Sequence, residues 1–182
     1  MPLPVAHGLV GASVVAALRP SDQLVGWKWL AFGAFLGVAP DFDFALNWLG
    51  ISIGGWHHGF THSIPFALVV GLMTIVVLRR WNVRSFLVFG AAYVSHTLLD
   101  YALTESRGVA LWWPFTNHRY KLQLPNPIDY TYSVNSFSKA AIDLLKISLV
   151  ELLIFAPLLL LVISVRQFVS KRTQFETEAV ED

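Results

Sequence analysis

Five apolar runs, separated by shorter polar segments, dominate the pattern of the chain. A helix needs about 20 mainly apolar residues to cross a bilayer, so the first run is short for a full span. The last three runs are predicted to be spans. The pattern predicts an all-α integral membrane helical bundle of about four to five helices. The runs extend over Val5–Leu18, Leu24–Val38, Ile64–Leu78, Ser85–Leu103 and Asp143–Val165.

Three segments lie outside these runs. Phe44–Trp56 is predicted to form an interfacial loop or a short helix. Thr104–Ala141 is polar, aromatic and proline-bearing, and it predicts an extracytoplasmic loop long enough to act as a small lid. The highly charged C-terminal residues predict disorder. We therefore expect a membrane-embedded domain over residues 1–166 and a disordered, charged cytoplasmic tail over residues 167–182.

Basic residues predict the orientation in the membrane. They gather around Arg19, around Arg80 and from Arg166 onward. Because short cytoplasmic segments are enriched in lysine and arginine, we expect these three groups to be cytoplasmic. The N-terminus and Thr104–Ala141 then lie outside, and the localisation is the inner (cytoplasmic) membrane, crossed several times.

Composition narrows the chemistry. Hydrophobic residues make up 55% of the chain and charged residues 14%, against about 25% charged residues in soluble domains. With no cysteine, disulfides, thiolate ligands and a cysteine nucleophile are excluded. A net charge of +1 without a large basic block argues against nucleic acid as a partner. Any metal must be held by histidine and carboxylate, which favours zinc, manganese or a similar divalent ion.

Histidines and aspartates concentrate at the predicted outer ends of the helices. His58 and His62 are four residues apart, as are His96 and Asp100, so each pair shares one face of a helix. These residue types are metal ligands, and their number exceeds the four that one zinc ion needs. Two ions, or one ion and a general base, accommodate the surplus. The candidate ligands are His7, Asp41, Asp43, His57, His58, His62, His96 and Asp100.

Each candidate also has a structural interpretation. His7 alone could hydrogen-bond to a neighbouring helix, His96 and Asp100 could be a structural pair, and Asp41–Asp43 could be a solvated helix end. Their common placement on one side of the membrane favours a site. Glu151, in the middle of the last run, either pairs with another helix or faces the cavity.

Five motifs in chain order resemble the pattern of the bacterial and archaeal membrane-bound metal-dependent hydrolase family, which includes DNA-damage-regulated inner-membrane proteins. The match extends from His7 to about Arg119, roughly two-thirds of the chain. The resemblance implies a multi-helix membrane protein with a metal site, so residues 1–166 form a hydrolase-like domain. The motifs are His7, Pro40-Asp41-Phe42-Asp43, His57-x-Gly59-x-Thr61-His62-Ser63, His96-x-x-x-Asp100 and Trp113-Pro114-Phe115.

One position departs from that pattern. The family often has an arginine after the first histidine of the third motif, where this chain has His58. This difference leaves open which of His57 and His58 is the ligand. It also leaves open whether the chain lacks the positive charge with which that arginine would bind a substrate. The resemblance implies as functional residues His7, Asp41, Asp43, His57, His62, His96 and Asp100.

The predicted function is hydrolysis at the outer membrane–water boundary by water activated on one or two divalent ions, zinc first and manganese second. Asp41 or Asp43 is expected to be the catalytic proton acceptor. Thr61 and Ser63 are expected to orient a histidine or the substrate, and Arg119 to meet a phosphate.

Membrane lipids are the expected partners, and a lipid phosphoester is the expected substrate, with lipid esters and amides left open. The alternatives are a non-catalytic metal-binding membrane protein, a transporter or a regulatory protein. Transport needs a polar path through the bundle, and beyond Glu151 few polar groups lie in the inner half. The oligomeric state is left open.

Overall fold

The structure, a computed structural model, describes residues 2–19, 26–44, 49, 57–104, 107–126, 128, 131 and 136–181. Within these ranges the fold is all helical, as predicted, with one isolated antiparallel bridge between Val109 and Tyr120. Two short 3-10 turns, Ala39–Asp43 and Phe60–His62, lie between helices. The five helices are α1 (Pro4–Leu18), α2 (Trp27–Val38), α3 (Ile64–Val77), α4 (Val83–Leu103) and α5 (Phe137–Glu181).

Two helices have the length and hydropathy to cross a bilayer. They are α4, with 21 residues, and the Phe137–Thr173 part of α5. The apolar helices α1 and α3 have 15 and 14 residues, short of the ~20 that a full span requires. Most of the predicted segment Phe44–Trp56 lies outside the described residues.

The helix α5 differs from its prediction at both ends. It begins at Phe137, inside the segment predicted as a loop, and it continues to Glu181. The predicted disorder of residues 167–182 is therefore wrong for residues 167–181. The reason is local, because the chain from Leu158 to Glu181 has no glycine or proline and is rich in arginine, lysine, glutamine and glutamate, which favour helix.

The helices α1 and α2 approach each other so closely that glycine is required at the contact. A Cβ added at Gly11 would collide with the carbonyl oxygen of Gly33, and one added at Gly37 would collide with the carbonyl oxygen of His7. Small residues permit such backbone contact between membrane helices. The contact at Gly37 fixes the height of His7 relative to the end of α2.

Helix α4 occupies the centre of the bundle and packs against α1, α2 and α3. Its buried face includes Val88, Phe89, Ala92 and Tyr93, whereas α5 lies at the periphery with most of its apolar surface exposed. The C-terminal half of this buried face of α4 carries His96 and Asp100 of the candidate site.

Arginines gather at one end of the bundle. The guanidinium carbons of Arg19 and Arg80 lie 4.4 and 4.7 Å from the centre of the Trp29 ring, in cation–π contact. Arg166 of α5 donates a 2.7 Å hydrogen bond to the carbonyl of Ala17. Members of the three predicted basic groups thus share the end of the bundle where α1 ends, opposite the histidines. Which side of the membrane this end faces stays a prediction.

Candidate metal centre

Six of the predicted ligands converge where α1 begins and α4 ends. His7 comes from the first turns of α1, and Asp41 from the 3-10 turn that follows α2. His62 belongs to the turn before α3, while His96 and Asp100 lie one turn apart on α4. The sixth ligand is His58. All but Asp41 are buried: His7, His58, His62, His96 and Asp100.

Imidazole nitrogens and carboxylate oxygens face one another across this centre. His96 Nε2 lies 3.0 Å from His62 Nε2, 3.3 Å from Asp100 Oδ2 and 3.4 Å from Asp41 Oδ1. His7 Nε2 lies 3.5 Å from Asp100 Oδ1, and His58 Nε2 lies 3.5 Å from Asp100 Oδ2. Potential metal-ligand atoms from four parts of the chain thus lie within a few ångströms of one another.

The hydrogen bonds of His96 and His62 fix their tautomers. His96 Nδ1 lies 2.7 Å from the carbonyl oxygen of Gly37, which can only accept, so Nδ1 carries the proton. The single proton of the Thr61 hydroxyl is donated to Asp43 Oδ2 at 2.9 Å. Thr61 must therefore accept from His62 Nδ1, also 2.9 Å away. When each ring is neutral, its Nε2 is therefore left with a lone pair.

These two lone pairs point at each other across 3.0 Å. That contact is repulsive between neutral rings unless a cation, either a proton or a metal ion, mediates it. Other buried atoms also lack a hydrogen-bond partner among the described residues, including both Asp100 oxygens, both His7 nitrogens and Asp41 Oδ1. Unpaired buried polar atoms are uncommon and call for an explanation. A set of imidazoles and carboxylates without sulfur fits zinc or manganese.

Three overlapping groups of ligand atoms could each hold an ion. Their members lie within 4.8 Å of one another in each group. His62 and His96 each belong to two of the groups, so the arrangement suits one ion or two adjacent ions. The groups are His57, His58 and His62; His7, His96 and Asp100; and Asp41, His62 and His96.

His57 and His58 occupy different positions at the centre. His58 is buried against Asp100 and has a left-handed backbone conformation, with φ of 61°. His57 lies at the rim with 24% of its side chain exposed, and its Nδ1 is 3.0 Å from Asp43 Oδ1. Since a carboxylate only accepts, Nδ1 of His57 is the donor and its Nε2 keeps a lone pair. Both rings therefore face the site, but only His58 approaches Asp100.

The two aspartates of the Ala39–Asp43 turn also differ. Asp41 approaches His62 and His96 directly. Asp43 accepts hydrogen bonds from His57 and Thr61 and stands behind them. The structure thus places Asp41 among the potential ligands and Asp43 where it orients its neighbours.

The protonation states at the membrane boundary suit metal binding. Burial lowers the pKa of His58 to about 4, so its imidazole is neutral at neutral pH. Burial alone would raise the pKa of Asp41, but its interactions with His62 and His96 outweigh burial and hold that pKa below its ordinary value. Neutral imidazole and ionised carboxylate are the forms that ligate a metal.

Ser63 and Arg119 act on backbone in this structure. The Ser63 hydroxyl donates to the carbonyl of Phe60 at 2.7 Å and accepts from the amide of Phe66, so it caps α3 rather than orienting a ring. Arg119 donates to the carbonyl of Gly108 at 3.1 Å and, more weakly, to that of His57 at 3.4 Å. Its guanidinium thereby fixes the loop that carries the histidines.

Two supporting residues were not predicted from the sequence. The Gly37 carbonyl orients His96, and the Tyr93 hydroxyl donates to the carbonyl of Thr61 at 2.9 Å. Glu151 has the first of its two predicted roles, contact with another helix, because it accepts from the amides of Leu3 and Ala6 and so caps α1. Gly33 and Gly37 form a Gly-x-x-x-Gly pattern, a recognised sign of close helix packing, which could have indicated the role of Gly37.

Comparison with known proteins defines the class. Residues 1–170 match the model of the YdjM inner membrane protein family, so the chain belongs to that family. It is similar to inner membrane protein YbcI of Escherichia coli (strain K12), at 32% identity over 126 residues, covering 66% of this chain and 72% of that protein. No solved structure matches. The predicted localisation is confirmed: this is an inner membrane protein.

Proposed function

We propose that this protein is a metal-dependent hydrolase that acts on a lipid at the outer face of the membrane. The observation that carries the proposal is the 3.0 Å contact between two Nε2 atoms whose tautomers are both fixed by other hydrogen bonds. A proton on one Nε2 would also relieve that contact, but it can be donated to only one acceptor, whereas the oxygens of Asp41 and Asp100 that lie 3.4 and 3.3 Å from His96 Nε2 both lack a hydrogen-bond partner among the described residues. A divalent ion can be bound by both rings and by these oxygens together.

The ligands that would hold the ion or ions are His7, Asp41, His58, His62, His96 and Asp100. When bound, zinc or a similar ion lowers the pKa of water toward ~7 and polarises the bond to be cleaved. The fixed tautomers of His62 and His96 mean that their rings need no rearrangement to ligate. This orientation by outer partners is what supports a metal site in other proteins.

His57 and Asp43 are the proton-transfer pair in this proposal. The free Nε2 of His57 accepts the proton of the attacking water, while Asp43 holds Nδ1 in place and stabilises the imidazolium that forms. This replaces the sequence-based assignment of an aspartate as the direct base, because Asp43 is already bonded to His57 and Thr61. His57 lies at the rim of the centre with 24% of its side chain exposed, and its Nε2 is buried.

Metal content and turnover together test the proposal. Protein purified in detergent is expected to hold about one or two divalent ions per chain and to hydrolyse a phosphoester, ester or amide lipid from a defined panel. His62→Ala is expected to lose both metal and turnover. His118→Ala is the matched control, since His118 is exposed in the loop after α4 and lies outside the centre.

Other outcomes would contradict the proposal in different ways. Stoichiometric metal with no turnover on any lipid would instead indicate a metal-binding, transport or regulatory protein. Equal metal content in the His62→Ala and His118→Ala proteins would show that the metal does not bind at the centre that contains His62.

A further inference from the structure

A groove opens on the side of the bundle, lined mainly by residues of α2 and α3, with Tyr93 from α4. Its volume is about 480 Å³. Leu36 of α2, Val70 and Thr74 of α3 and Tyr93 of α4 line its length. Nearly all the other lining groups are apolar, so the groove is suited to hydrocarbon.

The polar end of the groove belongs to the candidate site. Asp43 and Thr61 line it there, and both are joined by hydrogen bonds to the histidines of the centre. The groove is therefore continuous with the proton-transfer pair His57 and Asp43. A molecule lying in it has one apolar part along α3 and one polar part beside that pair.

The length of the groove matches one leaflet. Phe66 and Val77 both line it, and at 1.5 Å per residue they are about 16 Å apart along the helix axis. Half of a hydrocarbon core of about 30 Å is about 15 Å. A lipid in that leaflet, with its headgroup at the level of the site, can extend an acyl chain over the whole groove.

The polarity of the groove favours a lipid chain over a helix of a partner protein. One end of the groove is polar, at Asp43 and Thr61, and nearly all the rest is apolar. This division matches a lipid, with its headgroup at one end and its acyl chain along the groove, better than it matches a membrane helix that is apolar throughout. The linkage of the acyl chain to the headgroup would then lie at the end where Asp43 and Thr61 are.

We propose that this groove is the acyl-chain subsite of the enzyme and that the substrate enters it sideways from the bilayer. This inference rests on the proposed function for the identity of the substrate. The scissile linkage is the one between the acyl-bearing part of the lipid and its polar headgroup, because that linkage would lie at the end of the groove lined by Asp43, the partner of His57.

Neighbouring valines of α3 provide a matched test. Val70 lines the groove, whereas Val69 is 49% exposed and lies outside it. Val70→Trp should fill the groove, and Val69→Trp should add the same side chain on the lipid-facing surface. Metal content should be equal in both variants, which shows that each has folded with an intact centre.

The probe is a phosphatidylethanolamine with a photoactivatable acyl chain, in phosphatidylcholine nanodiscs. In the wild type, cross-links should be enriched at Val70 relative to Leu153, an exposed residue of α5. Val70→Trp should lower cross-linking in the groove by about tenfold, equivalent to 1.4 kcal/mol, and Val69→Trp should leave it unchanged. Equal yields at Val70 and Leu153 in the wild type would overturn the subsite without reference to any variant.

Turnover separates this inference from the proposed function. Val70→Trp should lose hydrolysis of a long-chain lipid while keeping that of a short-chain, water-soluble analogue. Equal loss of both, with metal retained, would refute the subsite and leave the hydrolase standing. Enriched cross-linking in a wild type that hydrolyses neither compound would support the lipid site and refute the hydrolase.

Discussion

Two carboxylates are fully buried in this bundle, and their surroundings are opposite. Glu151 of α5 accepts hydrogen bonds from the amides of Leu3 and Ala6, at 2.5 and 3.0 Å, at the start of α1. Asp100 of α4 has no hydrogen bond to either oxygen among the described residues and faces imidazole nitrogens at 3.3 to 3.6 Å.

The difference shows how to separate a structural charge from a ligand in a membrane protein. The first amides of a helix have no partner within it and favour negative charge, so the environment of Glu151 is complete. The environment of Asp100 is incomplete without a cation. Burial alone does not mark a ligand, whereas burial with unpaired oxygens facing nitrogen lone pairs does.

The largest effect is expected from Asp100→Asn. An amide of the same shape removes the negative charge and one potential ligand atom from the centre. Since even residues that support a ligand contribute about 10–100-fold to metal affinity, we expect a loss of at least about 100-fold. Metal titration measures it, with circular dichroism to establish that the helices are retained. Unchanged affinity would remove Asp100 from the ligand set.

His57→Gln should separate chemistry from metal binding. The amide can still donate to Asp43, but it cannot take up the proton of water. General bases contribute about 100-fold or more to rates, so kcat should fall by about that factor while metal content stays constant. His58→Gln should instead lower metal affinity. The reverse pattern would make His57 the ligand and His58 the base.

A smaller effect is expected from Thr61→Val, which removes the hydroxyl that joins His62 to Asp43. The His62 tautomer is then no longer fixed, and metal affinity should fall by about tenfold. Thr61→Ser keeps the hydroxyl and should restore the affinity. If the Thr61→Val and Thr61→Ser proteins bind metal equally well, the hydroxyl does not orient His62.

The smallest effect on the centre is expected from Glu151→Gln. The amide keeps one oxygen to accept from α1, so the free energy of unfolding should fall by about 1 kcal/mol with metal affinity unchanged. Thermal unfolding in the presence of a chelator measures the first quantity, and metal titration the second. A loss of metal affinity comparable to that of Asp100→Asn would make Glu151 part of the metal centre and remove the contrast.

Periodicity and charge were sufficient to predict the parts of the site that depend on local order. The i, i+4 spacing of His96 and Asp100 put both on one face of α4, and the apolar runs put His7 and Asp41 at the same end of the bundle. Their common placement predicted a shared site, and the family resemblance supported it. The structure brings these residues together.

Contacts between distant segments could not be predicted. Glu151 meets the amide of Leu3, 148 positions away in the chain, and no local pattern specifies that pairing. The two aspartates differ in role, Asp41 as a potential ligand and Asp43 as the hydrogen-bond partner of Thr61. That difference depends on which carboxylate the Thr61 hydroxyl reaches in the folded chain. The tail was mispredicted because charge density was weighed above helix propensity, although α5 continues to Glu181.

X-ray absorption at the zinc edge, on protein purified without chelators and reconstituted with zinc, tests the central claim most directly. The account predicts a coordination shell of nitrogen and oxygen at about 2.0–2.2 Å, with the outer-shell scattering of several imidazoles. This signal should be absent from protein carrying His62→Ala. Zinc that is bound without imidazole scattering, or bound equally by the His62→Ala protein, would contradict the account.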